Sequence, residues 1–447
     1  MAIGFVLALG SGHAAGRALS SGDLLPLLIY GASLAGLHLG LVALGHRGDQ
    51  VLVAVVGFLA GLGLLAQTRM GTLDGVGALV PGYALFPAGV LVMLAAAAAF
   101  MDGRYRVLAA GFWVWGGLSL ALVALLLATG ERFRGAVYGA GLITPTEVLK
   151  VSVVLFLAGF VEHHARALGR WHPRYPVVPN LEPLWRLAAF WALLTLLLLL
   201  QRDLGMAVIL SLALLAVLVT GSGRWGYLGY GLASAGALAY LMLAVFEHGR
   251  RRIDAWLDPF QDPTGDGWQI LQGLSGLYAG GLWGEGFGQG SPGYTPIAES
   301  DFIYSVIGEE LGFVGCVVVV LFFLILFQRC IEIARRCRFP FGRLLATGLT
   351  AVLAAQTFLN LAGVTKLIPL TGITLPLISH GGASLLTAFG ALGILLAVSD
   401  GLPAAAPSRT GVPQRGGVRG PAKGPAKGSA RAPRRRSAAR TSTTPKV

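Results

Sequence analysis

The stretch FIYSVIGEELGFVGCVVVVLFFLILFQ, residues 302–328, decides the fold of this chain. It is long enough to cross a bilayer as one helix, which needs about 20 apolar residues. It also carries two adjacent carboxylates, Glu309 and Glu310, which are costly inside a membrane and indicate either function or internal pairing. The whole chain is 55% hydrophobic and only 12% charged. Because an ordinary soluble domain is about one quarter charged, this composition excludes a water-soluble enzyme.

Ten further apolar segments predict membrane-spanning helices on either side of this stretch. They are roughly 24–44, 50–70, 84–101, 105–130, 147–165, 186–200, 203–221, 224–246, 343–363 and 377–399. Residues 2–19 form a weaker additional segment, because Gly, Ser, His and Arg dilute its apolar residues. The sequence therefore predicts an all-α fold, a polytopic membrane helix bundle of about twelve transmembrane helices.

Basic residues predict the orientation of this bundle. Residues 403–447 hold eleven Lys and Arg and no Asp or Glu, so this tail carries most of the formal net charge of +13. Arg-rich connections at 166–186 and 329–343 fall on the same side as the tail, and short basic loops stay in the cytoplasm. Both termini are therefore expected in the cytoplasm, and the connection 247–301 is expected to be one large extracytoplasmic loop. Within it, the apolar period of WQILQGLSGLYA predicts a surface helix at 268–279.

The tail itself has a composition that predicts disorder, since Pro, Ala, Gly, Arg and Lys offer nothing to bury. Setting the topology through contact with anionic lipid is one role for it, and binding a regulatory partner is the other. Residues 403–447 contain no aromatic side chain that would stack on bases. Nucleic acid is therefore not an expected partner.

Five groups of polar residues lie within or beside the predicted helices. They are Glu147 with Lys150, Arg202 with Asp203, Asp301 with Glu309 and Glu310, Lys366, and Ser379 with Gly381 and Gly382. Every group except the deeper Glu309 and Glu310 falls at the predicted outer face of the membrane. Ionisable residues are rare in membrane segments unless they serve a function, so this convergence predicts a polar site facing away from the cytoplasm.

Each group also has a structural alternative. Glu147 and Lys150 are three residues apart and can pair along one helix face. Asp203 and Asp301 stand where helix N-caps stand, and a carboxylate there satisfies free amide groups. The cysteines form no C-x-x-C pattern, the histidines form no metal-ligand pattern, and no phosphate-binding lysine loop or nucleophile elbow is present. A metal centre, ATP-driven transport and serine hydrolase chemistry are therefore unsupported.

Five motifs make the chain, from about residue 134 to 400, resemble the SEDS family (shape, elongation, division and sporulation), which includes FtsW, RodA and SpoVE. They are PTEVLK (145–150), QRDLG (201–205), DGWQILQGLSGLYAGGLWGEGFGQG (266–290), AESDFIYSVIGEELGFVG (298–315) and PLTGITLPLISHGGASLL (369–386). The fourth is similar to the family's strongest signature, HTDFIF followed by EELG. Arg202 replaces a proline of the family pattern, and His380 replaces a tyrosine. The resemblance implies a ten-helix core, so residues 1–70 are expected to be additional N-terminal transmembrane helices and 71–402 the core.

The resemblance also implies an activity, the polymerisation of lipid II into peptidoglycan strands at the outer membrane face. Lipid II is a disaccharide-pentapeptide on undecaprenyl diphosphate, and the reaction transfers glycan from one molecule to the sugar hydroxyl of another. Such a transfer needs a carboxylate base and cations that stabilise the leaving diphosphate. Asp301 matches the family's essential aspartate and is expected to be the base. The expected diphosphate ligands are Lys150, Arg202, Lys366 and Arg251, and the expected supporting residues are Glu147, Asp203, Glu309, Glu310, Ser379, Gly381 and Gly382.

The expected partners follow from the same resemblance. They are lipid II, a class B penicillin-binding protein that crosslinks the peptides, membrane lipids, and other division or elongation proteins. No cofactor is required, although a divalent cation at the substrate diphosphate stays open. A lipid II flippase and a non-enzymatic division or elongation scaffold are the alternative functions. The motifs serve both division and elongation proteins, so the choice between those roles is also left open.

Overall fold

The computed structural model describes Gly4 and residues 24–71, 82–133, 136–138, 144–171, 179, 181–245 and 247–400. The predicted span 2–19, apart from Gly4, and the basic tail 403–447 lie outside these residues. The strands found in the described ranges are two antiparallel three-residue segments, β1 (Glu131–Phe133) and β2 (Ala136–Tyr138). All other regular structure there is helical.

The α-helices of the described ranges follow one another along the chain, with two long connections before and after the helix pair Ile303–Val364. They are α1 (Leu25–Ala43), α2 (Gln50–Met70), α3 (Leu85–Phe100), α4 (Phe112–Thr129), α5 (Pro145–Gly169), α6 (Leu181–Gln201), α7 (Leu204–Ser222), α8 (Gly226–Val245), α9 (Glu247–Leu257), α10 (Trp268–Ala279), α11 (Ile303–Arg336), α12 (Pro340–Val364) and α13 (Gly382–Asp400). Short 3-10 turns occupy Gly82–Ala84, Arg104–Ala109 and Pro292–Tyr294.

These helices confirm the predicted all-α membrane bundle. Each of the eleven apolar segments overlaps one of them, and nine helices in the described ranges are long and apolar enough to cross a membrane. The helix α3 is apolar but shorter, with 16 residues. The total of about twelve spans and the orientation of the bundle stay predictions.

Two helices, α5 and α12, form the centre of the bundle. Most side chains of both are buried, whereas α1 and α4 expose most of theirs. The helix α12 packs against α5, α7 and α11, and α13 lies along α3. Close approach is possible where glycine faces a neighbour, as at Gly348 of α12, which lies against Val154 of α5. Helices that are apolar on all sides fit a bundle whose periphery faces lipid.

The connection 247–301 is structured. It contains α9, α10 and the 3-10 turn Pro292–Tyr294, and the predicted surface helix at 268–279 is confirmed as α10. After α10 the chain enters a glycine-rich segment, residues 280–290, which we call the glycine loop. This loop packs against the first turns of α11.

The helix α11 is broken at Gly312, whose φ of 66° and ψ of −168° are not helical. The glycine loop bridges the break with backbone hydrogen bonds. After the break, the amides of Phe313 and Val314 donate to loop carbonyls at 2.9 and 3.2 Å. Before the break, two α11 carbonyls accept from the loop amides of Glu285 and Gly286 at 3.0 and 3.2 Å. The backbone groups freed by the break are thus satisfied by the loop.

Glycine is required at this junction because the two backbones nearly touch. Gly284 has a φ of 81°, and a Cβ atom there would lie 2.2 Å from the carbonyl oxygen of Glu310. A Cβ atom at Gly312 would lie 2.3 Å from the amide nitrogen of Gly284. Positive φ and close backbone approach both select glycine. The glycines of this junction therefore allow the loop and α11 to pack backbone against backbone, in addition to forming turns.

Candidate functional site

Asp301 lies at the end of the bundle where α11 begins. The N-cap of α11 is Phe302, which offers no side-chain cap, and the helix proper begins at Ile303. The alternative that Asp301 is an N-cap is therefore wrong. Its carboxylate is half-buried, and Oδ1 accepts a hydrogen bond from Ser300 Oγ at 3.2 Å.

The backbone of Asp301 is fixed by a side chain of α12. Asn360 Nδ2 donates both to the Asp301 carbonyl at 2.9 Å and to the Ile373 carbonyl at 2.7 Å. Asn360 thereby joins the turn before α11 to the segment 366–381, which connects α12 and α13. Gly372 of this segment is next to the carboxylate, since a Cβ atom there would lie 3.8 Å from Asp301 Oδ2.

Two further residues of the 366–381 segment hold the same turn. The buried Ser379 hydroxyl donates to the Ser300 carbonyl and accepts from the Leu375 amide at 2.8 Å. The His380 amide donates to the Glu299 carbonyl at 2.7 Å. Gly381 follows, and α13 begins at Gly382. Ser379, Gly381 and Gly382 thus lie in or directly after the segment that supports Asp301.

Glu147 and Lys150 lie in the first turns of α5, on the side that faces α12 and α13. Lys150 is buried, and its Nζ is 2.5 Å from Glu147 Oε2 and 2.9 Å from Gln356 Oε1. The predicted pairing of Glu147 with Lys150 is therefore present. Gln356 in turn donates to the Thr374 carbonyl at 3.1 Å. A chain of polar contacts thus runs from α5 to the segment that holds Asp301.

Beside Lys150 is a small cleft between α5, α12 and α13. Its polar lining consists of Glu147, Lys150, Gln356, Ser384 and Thr387, and its apolar lining comes from Val and Leu side chains of α5 and α12 together with Ala of α13. The cleft combines a paired ammonium and carboxylate at its polar end with an apolar wall.

Asp203 is the N-cap of α7, as the capping alternative predicts. Its Oδ1 accepts from the Met206 amide at 2.9 Å. The charges of Lys150 and Arg252 act on the Asp203 carboxylate. These electrostatic neighbours place Asp203 at the same end of the bundle as the cleft.

The other predicted diphosphate ligands are placed differently from one another. Arg202 is exposed at the turn between α6 and α7, with a φ of 63°. Lys366 lies at the start of the 366–381 segment, and its Nζ is 3.4 Å from the carbonyl of Leu257 at the end of α9. The Lys366 carbonyl accepts from Trp256 Nε1 at 3.0 Å. Lys366 therefore attaches α9 to the segment and does not line the cleft beside Lys150.

The arginines of α9 differ in exposure, and one of them contacts the 366–381 segment. Arg251, the predicted ligand, is exposed. Its neighbour Arg252 is half-buried and lies 3.4 Å from the carbonyl oxygens of Leu370 and Thr371. Of the two, Arg252 is therefore nearer to Asp301 along the supporting segment.

Glu309 and Glu310 are both buried and both have partners. Glu309 Oε1 accepts from the Ser291 amide at 2.6 Å, just after the glycine loop. Glu310 Oε1 lies 3.3 Å from Nε of Arg69 in the last turn of α2. Within the parts of the chain that the structure describes, no group of three or more His, Cys, Asp or Glu is arranged to hold a metal ion.

Several polar residues of this site were not singled out from the sequence. Gln356 and Asn360 are four residues apart in α12, so they share one helix face, and an amide pair in an otherwise apolar helix is the signal that would have identified them. Thr374 and Ser384 were overlooked in the same way, 3.2 Å apart across the 366–381 segment and α13. Arg69 was missed because it stands outside the five motifs.

Comparisons with known proteins agree with this picture. The sequence pattern of the family described as "Cell cycle protein", which groups FtsW, RodA and SpoVE, matches residues 51–402. The peptidoglycan glycosyltransferase RodA of Mycobacterium tuberculosis is 34% identical over 415 residues, which cover 88% of this chain and 85% of that protein. A probable peptidoglycan glycosyltransferase FtsW of Geobacter sp. is 38% identical over 265 residues, 59% of this chain and 70% of that protein.

Two solved structures have a similar fold. A chain from a peptidoglycan synthase complex that coordinates polymerization and crosslinking has a TM-score of 0.64 and 28% identity, over 79% of this chain and 98% of that chain. The crystal structure of the rod shape determining protein RodA of Thermus thermophilus has a TM-score of 0.54 and 26% identity, over 79% of this chain and 97% of that chain. The chain therefore belongs to the FtsW, RodA and SpoVE family of membrane proteins.

Proposed function

We propose that this protein is a peptidoglycan glycosyltransferase that polymerises lipid II, with Asp301 as the general base. The observation that carries this proposal is the position of Asp301, whose backbone turn is held by Asn360 and Ser379 at the same bundle end as the cleft beside Lys150. Relatives that are named peptidoglycan glycosyltransferases support the reaction class. The outer face of the cytoplasmic membrane is the proposed location of this end.

Asp301 has the features that a general base requires. Its backbone is fixed on two sides, and Oδ2 is close to the backbone of Gly372, where a Cβ atom would lie 3.8 Å away. In the described residues, Asn360 Oδ1 and Thr371 Oγ1 are buried acceptors without a hydrogen-bond partner. Deprotonation of the attacking hydroxyl by Asp301 contributes a rate factor of about 10²–10⁴ in comparable reactions.

Lys150 is the residue that we assign to the leaving diphosphate. It is a buried ammonium group at the polar end of the cleft, with Glu147 and Gln356 fixing its position. A fixed cation in a site that excludes water stabilises developing negative charge more than the same cation in water does. Arg252 is the second candidate, ahead of Arg251, because it contacts the supporting segment at Leu370 and Thr371. Arg202 and Lys366 would act from the rim, and a divalent cation would add screening at the diphosphate.

The alternatives are less well supported by the geometry. A lipid II flippase needs ionisable groups along a path through the membrane, whereas the groups described here gather at one end of the bundle. A non-enzymatic scaffold gives no reason for a half-buried carboxylate with a fixed backbone. We also propose that a class B penicillin-binding protein crosslinks the product, because a related chain comes from a complex that coordinates polymerization and crosslinking.

The test is polymer formation by purified protein in reconstituted membranes with labelled lipid II. We expect Asp301→Asn to reduce glycan-strand formation by at least about a hundredfold, because the loss of a general base removes a factor of this size. Folding, followed by thermal unfolding in detergent, should stay close to wild type. The matched control is Asp266→Asn, which removes an exposed carboxylate from the same connection.

Two results would contradict the proposal. Full polymerisation by Asp301→Asn would remove Asp301 from its role, and wild-type protein that moves lipid II across vesicles without forming strands would favour the flippase.

A further inference from the structure

Arg69 connects three parts of the structure that are far apart in sequence. It stands in the last turn of α2, and its side chain is 26% exposed. Nη2 donates to the carbonyl of Gly288 at 2.7 Å and to that of Gly290 at 3.1 Å. Nε forms the ion pair with Glu310 of α11. Stabilising the C-terminus of α2 through the helix dipole would not require any of these contacts.

The geometry fits arginine specifically. A guanidinium group is planar and presents several donors in a fixed fork, so one side chain can hold two carbonyls and a carboxylate together. The two carbonyls belong to the glycine loop, and the carboxylate belongs to the short piece of α11 before Gly312. Arg69 therefore lies where the loop, the broken helix and α2 meet.

The short piece of α11 leads from this junction directly to Asp301. It begins at Ile303, two residues after Asp301, and ends at the break, next to Glu309 and Glu310. Asn360 and Ser379 hold the turn that precedes it. Its other end is held by the glycine loop, which also contacts Arg69, and the Ser291 amide just after the loop donates to Glu309.

We propose that Arg69 is a positioning residue, which holds the glycine loop in the break of α11 and thereby fixes the helical piece that follows Asp301. This inference rests on the proposed function for its effect on rate, but the holding of the loop is independent of it. Arg69 does not contact Asp301 and acts through the loop and α11. Small displacements of reacting groups lower rates strongly, about a hundredfold for 1 Å.

The experiment separates positioning from simple neutralisation of Glu310. Arg69→Gln leaves Glu310 buried without its ion-pair partner, which is destabilising in itself. The double variant Arg69→Gln with Glu310→Gln removes that unpaired charge but does not restore the bonds to Gly288 and Gly290. Each protein is measured for thermal unfolding, for kcat and KM with lipid II, and for amide hydrogen exchange in peptides that cover the glycine loop. Arg104→Gln, an exposed arginine at another turn, is the matched control.

We expect the double variant to recover most of the stability lost in Arg69→Gln, while kcat stays at least about tenfold below wild type and KM changes little. Amides of Glu285 and Gly286, which are bonded to α11, should exchange faster in both variants and not in the control. A double variant with wild-type kcat and wild-type exchange would overturn the proposal, since Arg69 would then only neutralise Glu310. Wild-type protein without polymerase activity would contradict the proposed function, and the exchange measurement would still test whether Arg69 holds the loop.

Discussion

The helices α2 and α11 are joined by an ion pair at each end, and the two ends differ in what the pair does. At one end, Arg329 Nε donates to Asp49 Oδ2 at 2.8 Å, and Asp49 Oδ1 also caps α2 by accepting from the Leu52 amide at 2.9 Å. At the other end, Arg69 pairs with Glu310. Between them, the rings of Phe58 and Phe322 stack with centroids 3.8 Å apart.

The surroundings of the two pairs explain the difference. At the Asp49 end, α11 is an unbroken helix, and the neighbours are the end of α13, where Ser399 and Asp400 bond to the amides of Asp49 and Arg47. At the Arg69 end, α11 is broken and the glycine loop enters it. At the Asp49 end, the charge pair therefore joins two continuous helices. At the Arg69 end, it supports the junction between the glycine loop and the short piece of α11 that follows Asp301.

The largest effect on activity is expected at Lys150, which lies at the same end of the bundle as Asp301. Lys150→Met removes the buried cation of the cleft while keeping much of the side-chain volume. We expect the rate of glycan-strand formation to fall by about 10²–10³, the range seen when a fixed transition-state contact is lost. The measurement is the single-turnover rate with labelled lipid II in reconstituted membranes.

The control for Lys150 is the double variant Lys150→Met with Glu147→Gln, in which no charge is left unpaired. It should unfold at a higher temperature than Lys150→Met alone and remain slow. If it polymerised lipid II at the wild-type rate, Lys150 would serve only as the partner of Glu147. The bundle end that contains Asp301 and Lys150 would then differ from the Asp49 end only in its effect on stability.

A smaller effect is expected at the junction itself. Gly284→Ala places a Cβ atom 2.2 Å from the Glu310 carbonyl oxygen and requires a φ of 81° from alanine. Strained positions of this kind cost about 1–3 kcal/mol. We expect a lower unfolding temperature and reduced polymerisation. Gly293→Ala is the control, since a Cβ atom there meets nothing within 4 Å; equal behaviour of the two variants would mean that the loop does not need its observed position.

The smallest effect on activity is expected at the Asp49 end. Arg329→Gln leaves Asp49 without its cation and should lower the unfolding temperature measured in detergent. Its rate with lipid II should stay within about twofold of wild type, because the pair lies at the other end of α11 from Asp301, and leaving the mostly buried Asp49 unpaired acts mainly on stability. A loss of activity as large as that of Arg69→Gln would contradict this comparison, because the Arg329–Asp49 pair would then affect the reaction as strongly as the Arg69–Glu310 pair.

The sequence predicted what depends on local composition. Apolar length predicted the helices, the period of WQILQGLSGLYA predicted α10, and the motifs predicted the family, all of which are confirmed. The prediction of an N-cap was right for Asp203 at the start of α7. It was wrong for Asp301, because α11 begins two residues later, at Ile303, and that boundary depends on tertiary contacts. The roles of Asp301, Lys150 and the other site residues stay predictions.

What the sequence did not predict depends on pairing across helices. Asn360 is significant only because α12 lies next to the turn before α11, and Arg252 contacts the supporting segment while the adjacent Arg251 is exposed. The break at Gly312 has the same origin, since a glycine inside an apolar run does not by itself reveal that another segment of backbone enters there.

The break in α11 also separates Glu309 and Glu310 from the part of the helix that is long enough to cross a bilayer. An unbroken helix of 34 residues would be about 51 Å long at 1.5 Å per residue, well beyond a hydrocarbon thickness of about 30 Å. The piece after Gly312, about 24 residues or about 36 Å, is sufficient to cross the bilayer alone, and it exposes Phe313, Val317, Leu321 and Leu324 as a lipid-facing side. Glu309 and Glu310 precede this piece and are buried against the glycine loop, so the part of α11 that is long enough to cross a bilayer carries neither of these carboxylates, which are costly at its centre.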